Sequence, residues 1–389
     1  MKRAHCAHLF FAAFALIAAV ALPGAGLAQP AAPGQGEALL KALVEQAKKE
    51  PDTVNGSMTR VLLSTNELIR QGTDMFNKTY GLRKSFNIVE GTDNIFTNQM
   101  VASLDIGAKP KLAFYTTNAS EMQMFVSGGY VDYVKDWEQI LAEVNPRVKS
   151  GEVKPAQISR AGFAGYAFAH SNRLKGVGYN TKLASPDNLP RTYAEIADPK
   201  YKGQYAIEPW TSHWDALAFT YYPDNLDKFL DVLNGVGKGA YVVAQSHSLL
   251  PRMAQGEFKF MTMNAEVMAD FVNKNPGAPL DYYFMNDITL LETTMMFVPK
   301  NGPAPATGLL WVMFLTRPDV QALRWADAPN VMYGDQPFDK AMKDKLNGKN
   351  VWDWQMNDET TAYWKWLNSK DKGAEDFRAK RLKAIKQQR

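Results

Sequence analysis

From Arg60 onward, short apolar runs alternate with longer stretches of helical periodicity, and this alternation restricts the fold more than any single motif. Residues 60–63, 85–89 and 111–115 read as strands, with helices predicted over 67–80 and 94–105 between them. Strands separated by helical crossovers are parallel, which makes the chain α/β. Ligands of such sheets lie beyond the carboxyl ends of the strands. The loops there are polar, and Ser64, Thr65, Glu67, Thr116, Thr117 and Asn118 are their candidate contacts.

The same grammar repeats later in the chain. Strands are expected over 205–208, 241–244 and 258–263, with helices over 214–222 and 249–257. The intervening loops are 209–213, 245–248 and the neighbourhood of Asn264. Residues 290–298 form a last strand, followed by an amphipathic helix with Leu310, Phe314 and Leu315 on its apolar side. Two lobes joined by extended crossings fit this order, each a mostly parallel mixed sheet flanked by helices. With 389 residues the chain is long enough for more than one core.

The start of the chain stands apart from this pattern. Lys2 and Arg3 precede an apolar run over 9–22, then Pro23, Gly24 and a small-residue site ending at Ala28, as in a secretory signal peptide. Cleavage is expected after Ala28, with a flexible linker over 29–36 and export to the periplasm. The single cysteine, Cys6, leaves with the leader, so structural disulfides, thiolate metal sites and cysteine nucleophiles are all excluded from the mature chain. Loss of Lys2 and Arg3 lowers the formal charge from +4 to +2, spread along the chain, which argues against nucleic-acid binding. The one basic concentration, 380–389, reads as a solvated, frayed helix end.

Between the two halves lies GVGYNTKLASPDNLPRTYAEIADPKYKGQYAIEPW, residues 176–210. Val177 and Tyr179 alternate with smaller residues as in a strand, and Thr192 with Glu195 suggests a capping box on a short helical turn. GVGYNTKL with DPKYKG, MAQGEFKF after QSHS, the apolar strand before KNGPAP, and LLWVMFLTRPDVQALRW follow in the order seen in one protein family. On these pieces the chain resembles the periplasmic substrate-binding proteins of ABC importers, in the branch of ferric-ion, thiamine and phosphonate binders. The resemblance spans about 60–325 and implies a type II bilobal fold. Its first lobe would take 37–165 and 289–345, the second 166–288, with a C-terminal helical segment at 346–389. It also implies hinge closure on a small solute, a permease partner in the inner membrane, a monomer, and no chemistry on the ligand.

Ferric-binding relatives hold iron with two adjacent tyrosines, a histidine and a glutamate. Carried onto this sequence, the tyrosine positions fall on Glu266 and Val267, the histidine at or beside Glu67 and the glutamate on Thr117, so all four ligands are replaced. The resemblance therefore implies a retained scaffold with a changed cargo, and no metal or cofactor is expected.

Thr211 and Ser212 follow a strand and open a helix, where free amides and hydroxyls can hold a polar group, although plain helix capping explains them too. Ser246 and Ser248 are expected in the same position before a helix near Leu249. Trp210 and His213 flank the first pair and could stack on an organic ligand. Glu67, Glu266 and Glu292 favour a cation, either an amine or a hard metal, while the helix N-termini favour an anion. A zwitterion or a polyol satisfies both. The chain has no G-x-S-x-G elbow, no H-E-x-x-H and no phosphate-binding Gly-rich loop, which leaves little for an enzyme. A receptor for a membrane sensor, or metal capture through the three glutamates, are the competing roles.

Overall fold

A computed structural model describes residues 34–386 except 60–62, 64, 91–92, 161, 209–211, 326–336, 353–357 and 368. The chain opens with α1 (Gln35–Lys49), β1 (Thr53–Met58), α2 (Asn66–Tyr80), β2 (Ser85–Glu90), α3 (Asp93–Asp105), β3 (Tyr115–Asn118) and α4 (Ala119–Ser127). Then come α5 (Trp137–Val144) and two single turns, α6 (Pro146–Lys149) and α7 (Pro155–Ile158). The long strand β4 (Phe168–Asn180) leads into β5 (Tyr205–Ile207), α8 (Ser212–Tyr221), α9 (Leu226–Gly239), β6 (Val242–Val243), α10 (Ser246–Ala254), β7 (Phe260–Asn264) and α11 (Ala265–Lys274). β8 (Leu280–Tyr283) and β9 (Thr289–Phe297) precede α12 (Pro305–Phe314), α13 (Pro318–Trp325), α14 (Pro337–Leu346), β10 (Val351–Trp352), α15 (Asp358–Leu367) and α16 (Lys372–Lys386).

One strand belongs to two sheets. The first half of β4 pairs antiparallel with β9, which also pairs with β3. β1 joins this sheet through Ser57 N to Phe114 O at 2.9 Å and Ala113 N to Asn55 O at 2.8 Å, and β2 lies parallel to β1 beyond it. The second half of β4 pairs antiparallel with β7 and β8, and β5 and β6 extend that sheet in parallel with β7. A mixed α/β fold of two sheets sharing β4 results, each with a core on both faces. Against the first sheet, Trp311 of α12 stacks on Phe86 of β2 at 4.0 Å between ring centroids, and Phe76 of α2 meets it edge-on. Burying rings of this size contributes roughly 2–3 kcal/mol each.

Three expectations are corrected. The first strand is Thr53–Met58; of the anticipated 60–63, residues 60–62 lie outside the described residues and Leu63 is a buried bend. The helix after β9 is not amphipathic, because every residue from Ala306 to Phe314 is buried, as expected of a helix apolar on all sides. It stops before Pro318, whose ring starts a separate helix, so LLWVMFLTRPDVQALRW is two helices. The basic tail is held at Ala384 and Ile385, which with Phe377 are buried where α16 packs on α9, while Lys380 and Lys383 stay exposed.

A distant carboxylate secures α12. Glu50, just after α1, accepts hydrogen bonds from Ala306 N at 2.8 Å and Thr307 N at 2.7 Å, capping the helix where its backbone donors are otherwise unpaired. The anticipated cap at Thr192 is present, since Glu195 N donates to its Oγ1 at 3.4 Å, but Glu195 Oε2 accepts from Arg191 N rather than from Thr192 itself.

Candidate functional site

Arg173 and Lys175 lie two residues apart on β4, where the strand leaves one sheet for the other, and so share a face. Arg173 stands opposite Glu292 on β9, and Lys175 opposite Asn264 at the carboxyl end of β7. Lys175 Nζ meets Glu292 Oε2 at 3.1 Å, with the two side chains only 5% and 8% exposed. Glu208 follows the last residue of β5, and Glu266 is the second residue of α11; each is 4% exposed. Ser246 Oγ donates to Glu208 Oε1, and Leu174 N donates to Glu266 Oε2 at 3.4 Å.

Electrostatics tie these groups together. Burial raises the Glu208 carboxyl, opposed by Lys175 and Ser246 and reinforced by the charge of Glu292. Burial also pushes Glu266 up to about 7, with Arg173 and Lys175 pulling it back. A buried charge disfavours itself unless it is paired and hydrogen-bonded. Among the described residues, Glu208 Oε2, Glu266 Oε1, Asn264 Oδ1 and Thr262 Oγ1 have no hydrogen-bond partner. Buried polar atoms left open in this way are uncommon in native structures.

Of the residues singled out from sequence, Glu266, Glu292, Ser246 and Asn264 converge on this cluster. Ser246 and Ser248 do not precede α10 but form its first turn, with Gln245 as the cap residue; Ser248 is exposed and donates to Gln245 O at 2.8 Å. Thr65 caps α2, accepting from Leu68 N at 3.2 Å. Glu67 is exposed on α2, where hydrogen bonds from Arg70 and then Gln71 lower its carboxyl to about 2. Thr117 Oγ1 and Thr97 Oγ1 donate to Glu121 Oε2 at 3.0 and 2.9 Å, Asn118 Oδ1 accepts from Glu121 N, and Thr116 Oγ1 donates to Ser57 O at 3.4 Å. Those bonds fasten the end of β3 to β1, α3 and α4. Ser64, Trp210 and Thr211 lie outside the described residues, and Ser212 and His213 open α8.

Glu67, Glu266 and Glu292 do not form a metal cage. Among the described residues, no three His, Cys, Asp or Glu side chains are gathered to hold a metal ion. Sequence reading missed Arg173, Lys175 and Glu208. Their signal was present: two cations at i and i+2 inside a strand with no other Lys, Arg, Asp or Glu, and a glutamate directly before Pro209. Charges in such positions are seldom buried without partners.

This arrangement of two mixed sheets sharing one strand can be compared with solved structures. The fold is that of the type II periplasmic binding proteins. The periplasmic binding protein P5PA is similar over 86% of this chain and 100% of its own, at 16% identity and TM-score 0.62. Iron-bound HitA from Pseudomonas aeruginosa matches 72% of this chain and 86% of its own, at 14% identity and TM-score 0.57. A putative spermidine/putrescine ABC transporter protein from Listeria monocytogenes matches 84% and 99%, at 15% identity and TM-score 0.56. Comparison with protein-family models and with curated protein sequences finds no match. Among the described residues no helix is long and apolar enough to cross a membrane.

Proposed function

We propose that this protein is a periplasmic solute-binding protein, which takes a small polar organic ligand between its lobes and hands it to an ABC permease without altering it. The observation that carries this reading is the cluster of buried, incompletely paired charged groups beside β9 where β4 passes from one sheet to the other. In the proposed division, residues 37–165 and 289–345 form the first lobe and 166–288 the second, with the leader 1–28 removed on export. Docking of α16 on α9 supports placing the C-terminal segment with the second lobe. A ligand touching both lobes shifts the population toward the closed form, which a permease can recognise.

Purified mature protein screened by thermal shift against amines, polyols, phosphonates, sugar phosphates and metal salts tests the reading. A ligand at about 100 times its dissociation constant adds roughly 2.7 kcal/mol, enough for a clear rise in Tm. The bound compound should be recovered unchanged. Failure of every class to shift Tm, or recovery of a converted product, rejects the proposal. Thr211→Ala with Ser212→Ala should remove the shift and leave the unliganded Tm nearly unchanged if these residues contact the ligand; a large loss of unliganded stability instead assigns them to helix capping.

A further inference from the structure

We infer that Glu208 and Glu266 receive an N–H-bearing organic cation, a primary ammonium or guanidinium, so that the cargo is an amine rather than an anion or a polyol. The inference rests on the solute-binding reading and specifies the ligand at that same site. It begins with the kind of atom left open. Glu208 Oε2, Glu266 Oε1 and Asn264 Oδ1 are all oxygens able to accept, on residues at the carboxyl ends of β5 and β7 and the start of α11. Ionised carboxylates only accept, and an ammonium brings three donors with no acceptor. An anionic ligand would present further acceptors to this group, leave the Asn264 oxygen without a donor and oppose ionisation of the two carboxyls.

Charge points the same way. The cluster holds three carboxylates, Glu208, Glu266 and Glu292, against two cations, Arg173 and Lys175, and Lys175 is already bridged to Glu292. A bound cation favours ionisation of the two raised carboxyls and then balances their charge, which a neutral polyol does not do. Thr262 supplies an independent observation. It is on β7 two residues before Asn264, is 2% exposed, and its hydroxyl oxygen has no partner among the described residues. A hydroxyl of this kind can accept a further N–H from the same ligand head group.

Isothermal titration of the mature protein tests the inference with six named probes: butylamine, 1,4-diaminobutane, 4-guanidinobutylamine, tetramethylammonium, myo-inositol and inorganic phosphate. At least one of the first three should bind. Tetramethylammonium, equally charged but without N–H donors, should bind at least tenfold more weakly. Glu208→Gln and Glu266→Gln should each weaken the amine at least tenfold while the far-UV circular dichroism and the oligomeric state stay unchanged. Amine binding should also tighten between pH 5.5 and pH 8, as the buried carboxyls ionise. If inositol or phosphate binds and the amines do not, the ligand class is overturned while the solute-binding reading stands. Equal affinity for tetramethylammonium, or unchanged amine affinity in both glutamine variants, overturns it as well. If none of the six binds and the broader thermal screen is also silent, the solute-binding reading itself falls.

Discussion

Glu266→Gln should reverse a stability penalty that grows with pH. Burial pushes the Glu266 carboxyl up to about 7 in the folded chain, against its ordinary value of 4.5. Between these values the folded state binds more protons than the unfolded state, so stability falls as pH rises through that window. Below the window both states are protonated and no penalty exists; above it both are ionised and the penalty is complete. A displacement from 4.5 to about 7, at 1.36 kcal/mol per pH unit, amounts to about 3 kcal/mol, most of it arising between pH 5 and pH 8. Glutamine keeps an oxygen for Leu174 N, which donates at 3.4 Å, and carries no titrating proton. Urea unfolding of the unliganded parent and variant at pH 5, 6.5 and 8 gives the free-energy difference by linear extrapolation. The parent should lose about 2–3 kcal/mol relative to the variant over that range. Subtracting the variant removes the contribution of groups that titrate alike in both proteins, Glu208 included. A difference that stays flat from pH 5 to pH 8 refutes the argument, because a carboxyl with its ordinary pKa gives almost no slope above pH 6.

Lys175→Met should be far more damaging, since it removes the ammonium that Glu292 meets at 3.1 Å in a buried site. The loss expected from breaking such a pair is about 3–5 kcal/mol by urea unfolding, and adding Glu292→Met should recover most of it. Glu50→Ala removes both side-chain acceptors at the start of α12 and should lower stability by about 1–2 kcal/mol, read as a lower urea midpoint with unchanged slope. Gly237→Ala would place a Cβ 2.1 Å from Ala384 O, so α16 must lift from α9. It should cost about 1–3 kcal/mol and speed tryptic release of the C-terminal peptide; release at the parental rate would show that α16 is not held there.

Most of the α/β order could be read because strands and helices bury residues with different periods, which needs no knowledge of long-range partners. The first strand escaped for a local reason. Gly56 looks like a strand breaker, yet a Cβ there would lie 2.0 Å from the ring of Phe114, so the neighbouring strand leaves no room for a side chain. The branched run just after it drew the assignment away. The C-terminal helix was misread from its charge, although Phe377, Ala384 and Ile385 recur at i, i+7 and i+8, the stripe of a docked helix. At the site, Glu266 and Glu292 were legible as carboxylates beside expected loops. Their significance was not, because it depends on Arg173 and Lys175 entering the same sheet face through strand pairings that no local pattern encodes.

In the proposed division, the two lobes differ in what their polar groups can offer a ligand. At the end of β3 the hydroxyls of Thr116 and Thr117 and the amide oxygen of Asn118 are each engaged within the first lobe, with Ser57 O, Glu121 Oε2 and Glu121 N. On the proposed second lobe, oxygens of Glu208, Glu266 and Asn264 have no hydrogen-bond partner among the described residues. A new hydrogen bond gains most where it satisfies a buried group that had none, and least where it must displace an existing partner. On the proposed reading, ligand choice therefore resides in the second lobe and in the strand that both lobes share, and the first lobe closes over a ligand already selected. Arg173 and Lys175 sit on that shared strand, so a ligand held beside them meets the groups that a rotation about the crossing displaces least. Closure then depends on whatever additional contact the ligand makes with the first lobe, because only a difference in interaction between the open and closed forms can shift their populations.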